Sequence, residues 1–198
     1  MSDSYNICRA CYFANKTCCT TSNPIFIGIL EAIKIHQETG LKYSDFLAYT
    51  EFAHAQFLDA FDELLPSKKS IVIRHGPDYG CLFLSEKGCR IPEIKPFICR
   101  VFPLWYDQDF YKETGMIDLF VEAERDCELA SKIDSYRNLD EGCQLFIGNS
   151  EAAIKRIFLH AFEHYEMARA FAYLFETRPL DDAFAEIEKV LREKGKVL

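Results

Sequence analysis

The sequence predicts a mainly α-helical protein whose helices pack around an irregular, cysteine-rich centre with a few short strands. Three observations support this prediction. Residues 24–65 and 150–194 carry apolar side chains at helical spacing. Between these stretches, prolines and glycines interrupt residues 66–115 at short intervals. Seven of the nine cysteines lie in two short groups, within residues 8–19 and 81–99.

Two helices are predicted in the first third of the chain. The first begins at the Asn23-Pro24 pair, because asparagine caps helices well and proline is favoured in the first helical turn. It ends at Gly40, a typical C-terminal residue. The second helix is predicted from Ser44 to Leu65, where aromatic and apolar residues recur every three or four positions.

The remaining elements follow from the same signals. In the proline- and glycine-rich middle we predict strands at Ser70–Arg74, Cys81–Leu84 and Ile117–Glu122, and a brief helix near Glu93–Arg100. The C-terminal third is predicted to form a long helix over Ser150–Phe175 and a final amphipathic helix over Asp181–Lys194, separated by Arg178-Pro179.

Size and composition limit the class of protein. A chain of 198 residues fits a single domain, here 1–198, and we find no repeat or linker. The start lacks the basic and apolar regions of a signal peptide, and no apolar run is long enough to cross a bilayer, so we expect a cytoplasmic protein without a membrane partner. The net charge of −8 argues against nucleic-acid binding.

Thiols grouped on a chain of this class indicate metal ligands rather than disulfides, because the cytoplasm keeps thiols reduced. Cys8-x-x-Cys11 has the spacing of a chelate loop, in which both sulfurs reach one ion. Cys18 and Cys19 are adjacent and in an extended segment would point in opposite directions. Either one of them binds metal while the other packs inward, or the two serve different centres.

The central cysteine segment carries the most specific pattern. Cys81-x-Phe83-Leu84 is followed by Cys89-x-Ile91, by Pro96, and by the run Cys99-Arg100-Val101-Phe102-Pro103. Together with the cysteines at 8–19, this pattern resembles the zinc- or iron-chelating domain family known for its CxxCxxCC cluster. The resemblance covers residues 8–19 and 80–103 and extends to Cys127. The flagellin lysine-N-methylases, which are distantly similar, imply an iron–sulfur cluster and a methyltransferase-like alternative.

The clustered thiols and this resemblance imply a metal site with cysteine ligands. Its ligands are expected among Cys8, Cys11, Cys18, Cys19, Cys81, Cys89, Cys99 and Cys127. Arg100 would contact the cofactor region and place a positive charge beside the thiolates. A [4Fe–4S] cluster and Zn²⁺ both accept four thiolates, so both stay open. Cys143 lies among apolar residues and is predicted to be a buried thiol instead.

Three functional hypotheses follow. The first is an iron–sulfur protein with a redox, electron-transfer or accessory role. The second is a structural zinc domain that binds a protein partner. The third is a metal-dependent enzyme, either methyltransferase-like or hydrolytic, the latter using His160, Glu163 and His164 in an H-x-x-E-H pattern on one helical face. Glu51-x-x-His54, also predicted to be helical, resembles half of a di-iron motif.

Overall fold

The computed structural model describes residues 25–51, 69–76, 80–121, 128–134 and 138–195. The chain divides into two compact units. One, here the cysteine unit, comprises Gly76–His160, and the other, here the helix–sheet unit, comprises residues 25–75 and 161–195. The described chain is mainly helical with a few short strands, as the sequence predicts. No helix in these segments is both long and apolar enough to span a bilayer.

The helix–sheet unit opens with strand β1, Ile25–Phe26, and helix α1, Ile29–Thr39. The predicted helix start at Asn23-Pro24 is therefore wrong by several residues. Gly28 holds an extended backbone before α1, and its N–H donates to the Glu31 carboxylate at 3.1 Å. The predicted end is confirmed, because Gly40 adopts the left-handed conformation, with φ of 70°.

The second predicted helix is wrong in its described part. Helix α2 spans only Tyr43–Phe46, and strand β2, Leu47–Glu51, follows it directly. Strand β3, Lys69–Ile73, confirms the strand predicted at Ser70–Arg74. The strands form an antiparallel sheet in the order β1-β3-β2, with Leu47 opposite Ile73. Pairing with β3 therefore takes residues 47–51 out of the helix, and residues 52–65 lie outside the described chain.

The C-terminal helices agree closely with prediction. Helix α7 spans Glu151–Ala170, Phe171 interrupts it, and α8 spans Ala172–Thr177. Residues 151–160 of α7 belong to the cysteine unit, as do helices α3 to α6, and residues 161–170 belong to the helix–sheet unit. The last helix, α9, spans Leu180–Glu193 and confirms the predicted amphipathic helix. Its buried residues recur at helical spacing: Ala183, Phe184, Ile187, Glu188 and Leu191.

Helices α2 and α9 are joined by stacking and hydrogen bonds. The Tyr43 ring stacks on Phe184, with centroids 4.0 Å apart, and its hydroxyl donates to Glu188 Oε1 at 2.7 Å. Arg192 donates to the other Glu188 oxygen at 2.7 Å. Burial, reinforced by the Glu188 hydrogen bond, raises the pKa of Tyr43 far above its ordinary range. The buried carboxylate is thus compensated by two donors.

The cysteine unit is built from short elements. Strands β4, Leu84–Ser85, and β5, Gly88–Cys89, form a hairpin, followed by a 3₁₀ turn at Pro92–Ile94 and helix α3, Phe97–Val101. The brief predicted helix near Glu93–Arg100 is confirmed as these last two pieces. The strand predicted at Cys81–Leu84 is wrong, because a turn occupies that position and β4 begins at its last residue.

A second antiparallel ladder and three helices complete this unit. Strand β6, Leu104–Tyr106, pairs with β7, Leu119–Val121, which confirms the strand predicted within 117–122. Helix α4, Gln108–Thr114, connects them. Helices α5, Glu128–Asp134, and α6, Leu139–Phe146, precede α7.

The cysteine unit has an aromatic core centred on Phe158 of α7, which is fully buried. Phe97, Trp105 and Tyr106 surround it, with ring centroids 6.3, 5.6 and 5.3 Å from that of Phe158. These rings come from α3, which contains the start of the Cys99–Pro103 run, and from β6, which follows the run directly. The core therefore fixes one end of the cysteine segment.

Candidate metal centre

Cys89 lies in the β4–β5 hairpin, and Cys81 begins the turn that leads into it. The Leu84 N–H donates to the Cys81 carbonyl at 2.9 Å, and Leu84 lies directly opposite Cys89 in the β4–β5 ladder. The Arg90 N–H donates to the Phe83 carbonyl at 2.8 Å and extends the ladder. The backbone thus connects the turn that begins at Cys81 to the strand that carries Cys89, although seven residues separate the two in sequence. Both side chains are half-buried.

Cys99 lies in the middle of helix α3. Its N–H donates to the Pro96 carbonyl at 3.0 Å in the first helical turn. Phe97 and Val101 are four residues apart and form the buried face of this helix. Cys99 projects from a different face because of the helical period, and it is half-buried, while Arg100 is exposed.

Buried apolar residues fix the three thiol-bearing segments. Phe83 follows Cys81 by two positions, Ile91 follows Cys89 by two positions, and Phe97 precedes Cys99 by two positions. All three are at most 6% exposed. Each cysteine is therefore held close to a packed side chain, which leaves the thiols at the border between core and solvent.

Positive charge surrounds this segment. Lys87, Arg90 and Arg100 are exposed, and the Arg90 guanidinium donates to the Leu82 carbonyl across the hairpin. Glu86 and Glu93 are also exposed and partly offset these cations. Cationic neighbours favour thiolates over thiols in general, so the surroundings suit an anionic group better than a neutral one.

The described residues supply only part of the expected ligand set. Cys81, Cys89 and Cys99 are described, whereas Cys8, Cys11, Cys18, Cys19 and Cys127 lie outside the described residues. Within the described segments, no three His, Cys, Asp or Glu side chains form a group that could hold a metal ion. Hence Cys81, Cys89 and Cys99 do not by themselves make a complete centre.

Cys143 is buried, as the sequence predicts. It lies in α6 with 0% exposure. Burial, followed by the nearby carboxylates of Glu151 and Asp140, raises the pKa of its thiol to about 11. The preceding residue, Gly142, packs so closely that an added Cβ would come within 3.3 Å of Ile133. This thiol is held in its neutral form inside the α5–α6 packing.

The alternative site residues have mixed outcomes. His160, Glu163 and His164 do lie on one helix, α7, where His160 is exposed. The side chains of Glu163 and His164 are not among those described. The helical Glu51-x-x-His54 prediction is wrong at its first residue, since Glu51 ends strand β2, and His54 lies outside the described chain.

One surface feature was missed by the sequence analysis. Trp105 and Phe120 are cross-strand partners in the β6–β7 ladder and line a shallow cleft with Asp107 and Asp109. The alternation of buried Leu104 and Tyr106 around Trp105 could have indicated an outward-facing ring. Its pairing with Phe120 depends on a register that spans helix α4, which the local pattern does not specify.

Comparison with known proteins adds no relative. A scan against protein-family models finds no match, and searches of curated proteins and of solved structures find no significant match. The similarity to the CxxCxxCC family therefore stays a prediction, based on the motif residues alone.

Proposed function

We propose that the protein is a cytoplasmic metal-binding protein whose cysteines hold an iron–sulfur cluster, of the [4Fe–4S] type, in a redox, electron-transfer or accessory role. The observation that supports this proposal most is the β4–β5 hairpin, which carries Cys89, together with the turn at Cys81 that leads into it. Two half-buried thiols on one small backbone unit, with Cys99 on the next helix, are suitable donors for a cysteine-ligated group.

Cysteine thiolates are the ligands that hold iron–sulfur clusters, and a [4Fe–4S] cluster is held by four of them. The described segment has three half-buried thiols, Cys81, Cys89 and Cys99, which do not form a metal-holding group by themselves. In this proposal the remaining ligands come from Cys8, Cys11, Cys18, Cys19 or Cys127. A bound cluster would supply one-electron chemistry. The chain would bind it through cysteine sulfurs and limit water access with buried residues such as Phe83 and Phe97.

The basic residues of the hairpin have a defined role in this proposal. A cluster with four thiolate ligands carries net negative charge, and Lys87, Arg90 and Arg100 place cations around the segment that binds it. Arg100 adjoins Cys99 directly in sequence. We expect its guanidinium to favour the more negative, reduced state of the centre.

Zinc is the other occupant that the same donors accept. Anaerobic purification followed by iron, acid-labile sulfide and zinc quantitation separates the two. The expected result is about four irons and four sulfides per chain, with visible charge-transfer absorption. A colourless protein with stoichiometric zinc would contradict the iron–sulfur hypothesis and support the structural zinc hypothesis. A protein without either metal would overturn both.

Two cysteine variants test the ligand assignment. Cys89→Ser should lose most of the bound metal, because serine is a poor ligand for iron in clusters and for zinc alike. Cys143→Ala is the matched control, since that thiol is fully buried in α6. It should retain the metal content of the unmodified protein. Equal metal content in both variants would contradict a centre at the hairpin.

A further inference from the structure

An open cleft of about 310 Å³ lies in the cysteine unit beside the β6–β7 ladder. Its volume is at the lower end of the roughly 300–1,000 Å³ typical of small-molecule sites. Its lining is formed by Trp105, Tyr106, Asp107, Asp109 and Phe120. Of the proposed metal ligands, the three described ones, Cys81, Cys89 and Cys99, are not part of this lining.

Two aromatic side chains form one wall of this cleft. Trp105 and Phe120 are directly opposite each other in the antiparallel ladder, so both project from the same face. Phe120 is 45% exposed, and Trp105 is half-buried. Leu104, Tyr106 and Leu119 are buried. Trp105 and Phe120 are therefore more exposed than these three side chains of the ladder, and Tyr106 borders the same cleft.

The wall is held in place rather than loosely exposed. The Trp105 ring meets the buried Phe158 ring edge-on, with centroids 5.6 Å apart and planes at 87°. Tyr106 packs on Phe158 as well, at 5.3 Å. Because Phe158 contacts both Trp105 and Tyr106, the indole is positioned before any ligand arrives, which reduces the entropy cost of binding.

Negative charge lies next to this wall. Between Trp105 and Val121 the sequence has four carboxylates and a single lysine. The Asp109 side chain is 92% exposed, and its ion pair with Lys112 is long, at 3.7 Å, and solvent-exposed. Asp107 is oriented by the Phe110 N–H, which donates to its Oδ1 at 2.9 Å. Asp107 directly follows β6, and Asp109 lies in the first turn of α4, so both residues lie at the rim of the cleft.

We propose that this cleft binds a small organic cation of the quaternary ammonium class. Aromatic faces attract such cations through their quadrupoles, and the methyl groups of the ligand suit an apolar wall. The neighbouring carboxylates add Coulomb attraction without requiring a desolvated ion pair. A metal ion fits less well, because in the described part of the chain no group of three ligating side chains lies here or elsewhere.

The structure provides its own probe for this site. The chain has one tryptophan, Trp105, so intrinsic indole fluorescence reports on the cleft alone. The experiment titrates the purified protein with choline and, in parallel, with 3,3-dimethylbutan-1-ol, its neutral analogue of the same shape. Choline should change the emission saturably, and the alcohol should bind at least about fivefold more weakly. Equal responses to both compounds would overturn the proposal.

Variants then locate the binding site. Phe120→Ala and Asp109→Asn should each weaken choline binding by about threefold or more. Phe110→Ala is the matched control, because Phe110 is an exposed aromatic on α4 that does not line the cleft. It should leave the affinity unchanged. If Phe110→Ala weakens binding as much as Phe120→Ala, the cleft assignment is wrong.

A final experiment distinguishes two sources of the quaternary ammonium group. Vesicles of phosphatidylcholine present the ammonium group on a lipid headgroup, whereas choline presents it as a free ion. The proposal is a free ion, so the vesicles should leave Trp105 emission unchanged. Preferential binding to vesicles would overturn it in favour of a membrane surface.

Discussion

Different interactions stabilise the interior of the helix–sheet unit and the interior of the cysteine unit. In the helix–sheet unit, β2 and β3 pair over five residues, from Leu47–Ile73 to Glu51–Lys69. A hydrogen-bonded carboxylate also joins α2 to α9, with Tyr43 and Glu188 separated by 145 positions. In the cysteine unit the strands have two or three residues, and aromatic rings gather around Phe158.

This difference shows where each unit can tolerate change. Short strands bury little surface individually, so the cysteine unit depends on a few large side chains and, in our proposal, on a metal that connects its segments. The helix–sheet unit distributes its stability over a longer ladder and an extended helical face. Damage to Phe158 should therefore be severe, whereas the loss of one polar contact between α2 and α9 should be moderate.

The largest expected effect comes from emptying the aromatic core of the cysteine unit. Phe158→Ala should lower the free energy of unfolding by about 3–5 kcal/mol, because it removes a buried ring that contacts Phe97, Trp105 and Tyr106. Urea unfolding followed by Trp105 fluorescence measures it. Leu159→Ala, at the neighbouring but 43% exposed position, is the control and should cost far less. Similar costs for the two variants would contradict a core centred on Phe158.

A moderate effect is expected in the helix–sheet unit. Tyr43→Phe keeps the stacking on Phe184 but removes the hydroxyl that donates to the buried Glu188. The carboxylate retains Arg192 as a donor, so the cost should be about 1–3 kcal/mol. Hydrogen exchange of α9 amides measures the change locally. Tyr173→Phe, on a 61% exposed side chain, should have no effect, and an equal response of α9 to both variants would refute the network.

The same contrast explains how much of the fold can be predicted. The final helix and strand β3 follow from local periodicity, and the end of α1 follows from Gly40, where a left-handed residue is needed. The sequence predicts a helix over residues 47–51 because the spacing of their apolar residues also fits a helix. Pairing with β3 decides their structure, and β3 is distant in sequence.

Prediction of the candidate site has the same limit. The cysteine segment and its buried neighbours at 83, 91 and 97 are local features, and the sequence indicates them. The sequence predicts a strand at Cys81–Leu84 because a short run there is bounded by turn residues, and a turn can occupy the same short run. The Trp105–Phe120 pair depends on the β6–β7 register, which only the folded chain defines.

The smallest effect concerns pH and the buried thiol of Cys143. Burial, together with the smaller effect of the Glu151 and Asp140 carboxylates, raises the pKa of this thiol from 9.0 to about 11 in the folded protein. A group whose folded pKa is raised stabilises the fold below its unfolded pKa. Above pH 9 the unfolded chain releases this proton while the folded chain retains it, so stability falls as the pH rises towards 11.

The loss attributable to Cys143 should be about 2 kcal/mol across this window. Cys143→Ala removes the thiol. Comparison with this variant separates the contribution of Cys143 from that of tyrosines and lysines, which titrate over the same pH range. The measurement is the difference in unfolding free energy between the two proteins, under reducing conditions, at about pH 8 and about pH 11. The advantage of the unmodified protein should shrink at the higher pH. A difference that stays constant would mean that the thiol does not remain neutral in the folded state, and that the α5–α6 packing does not exclude water from it.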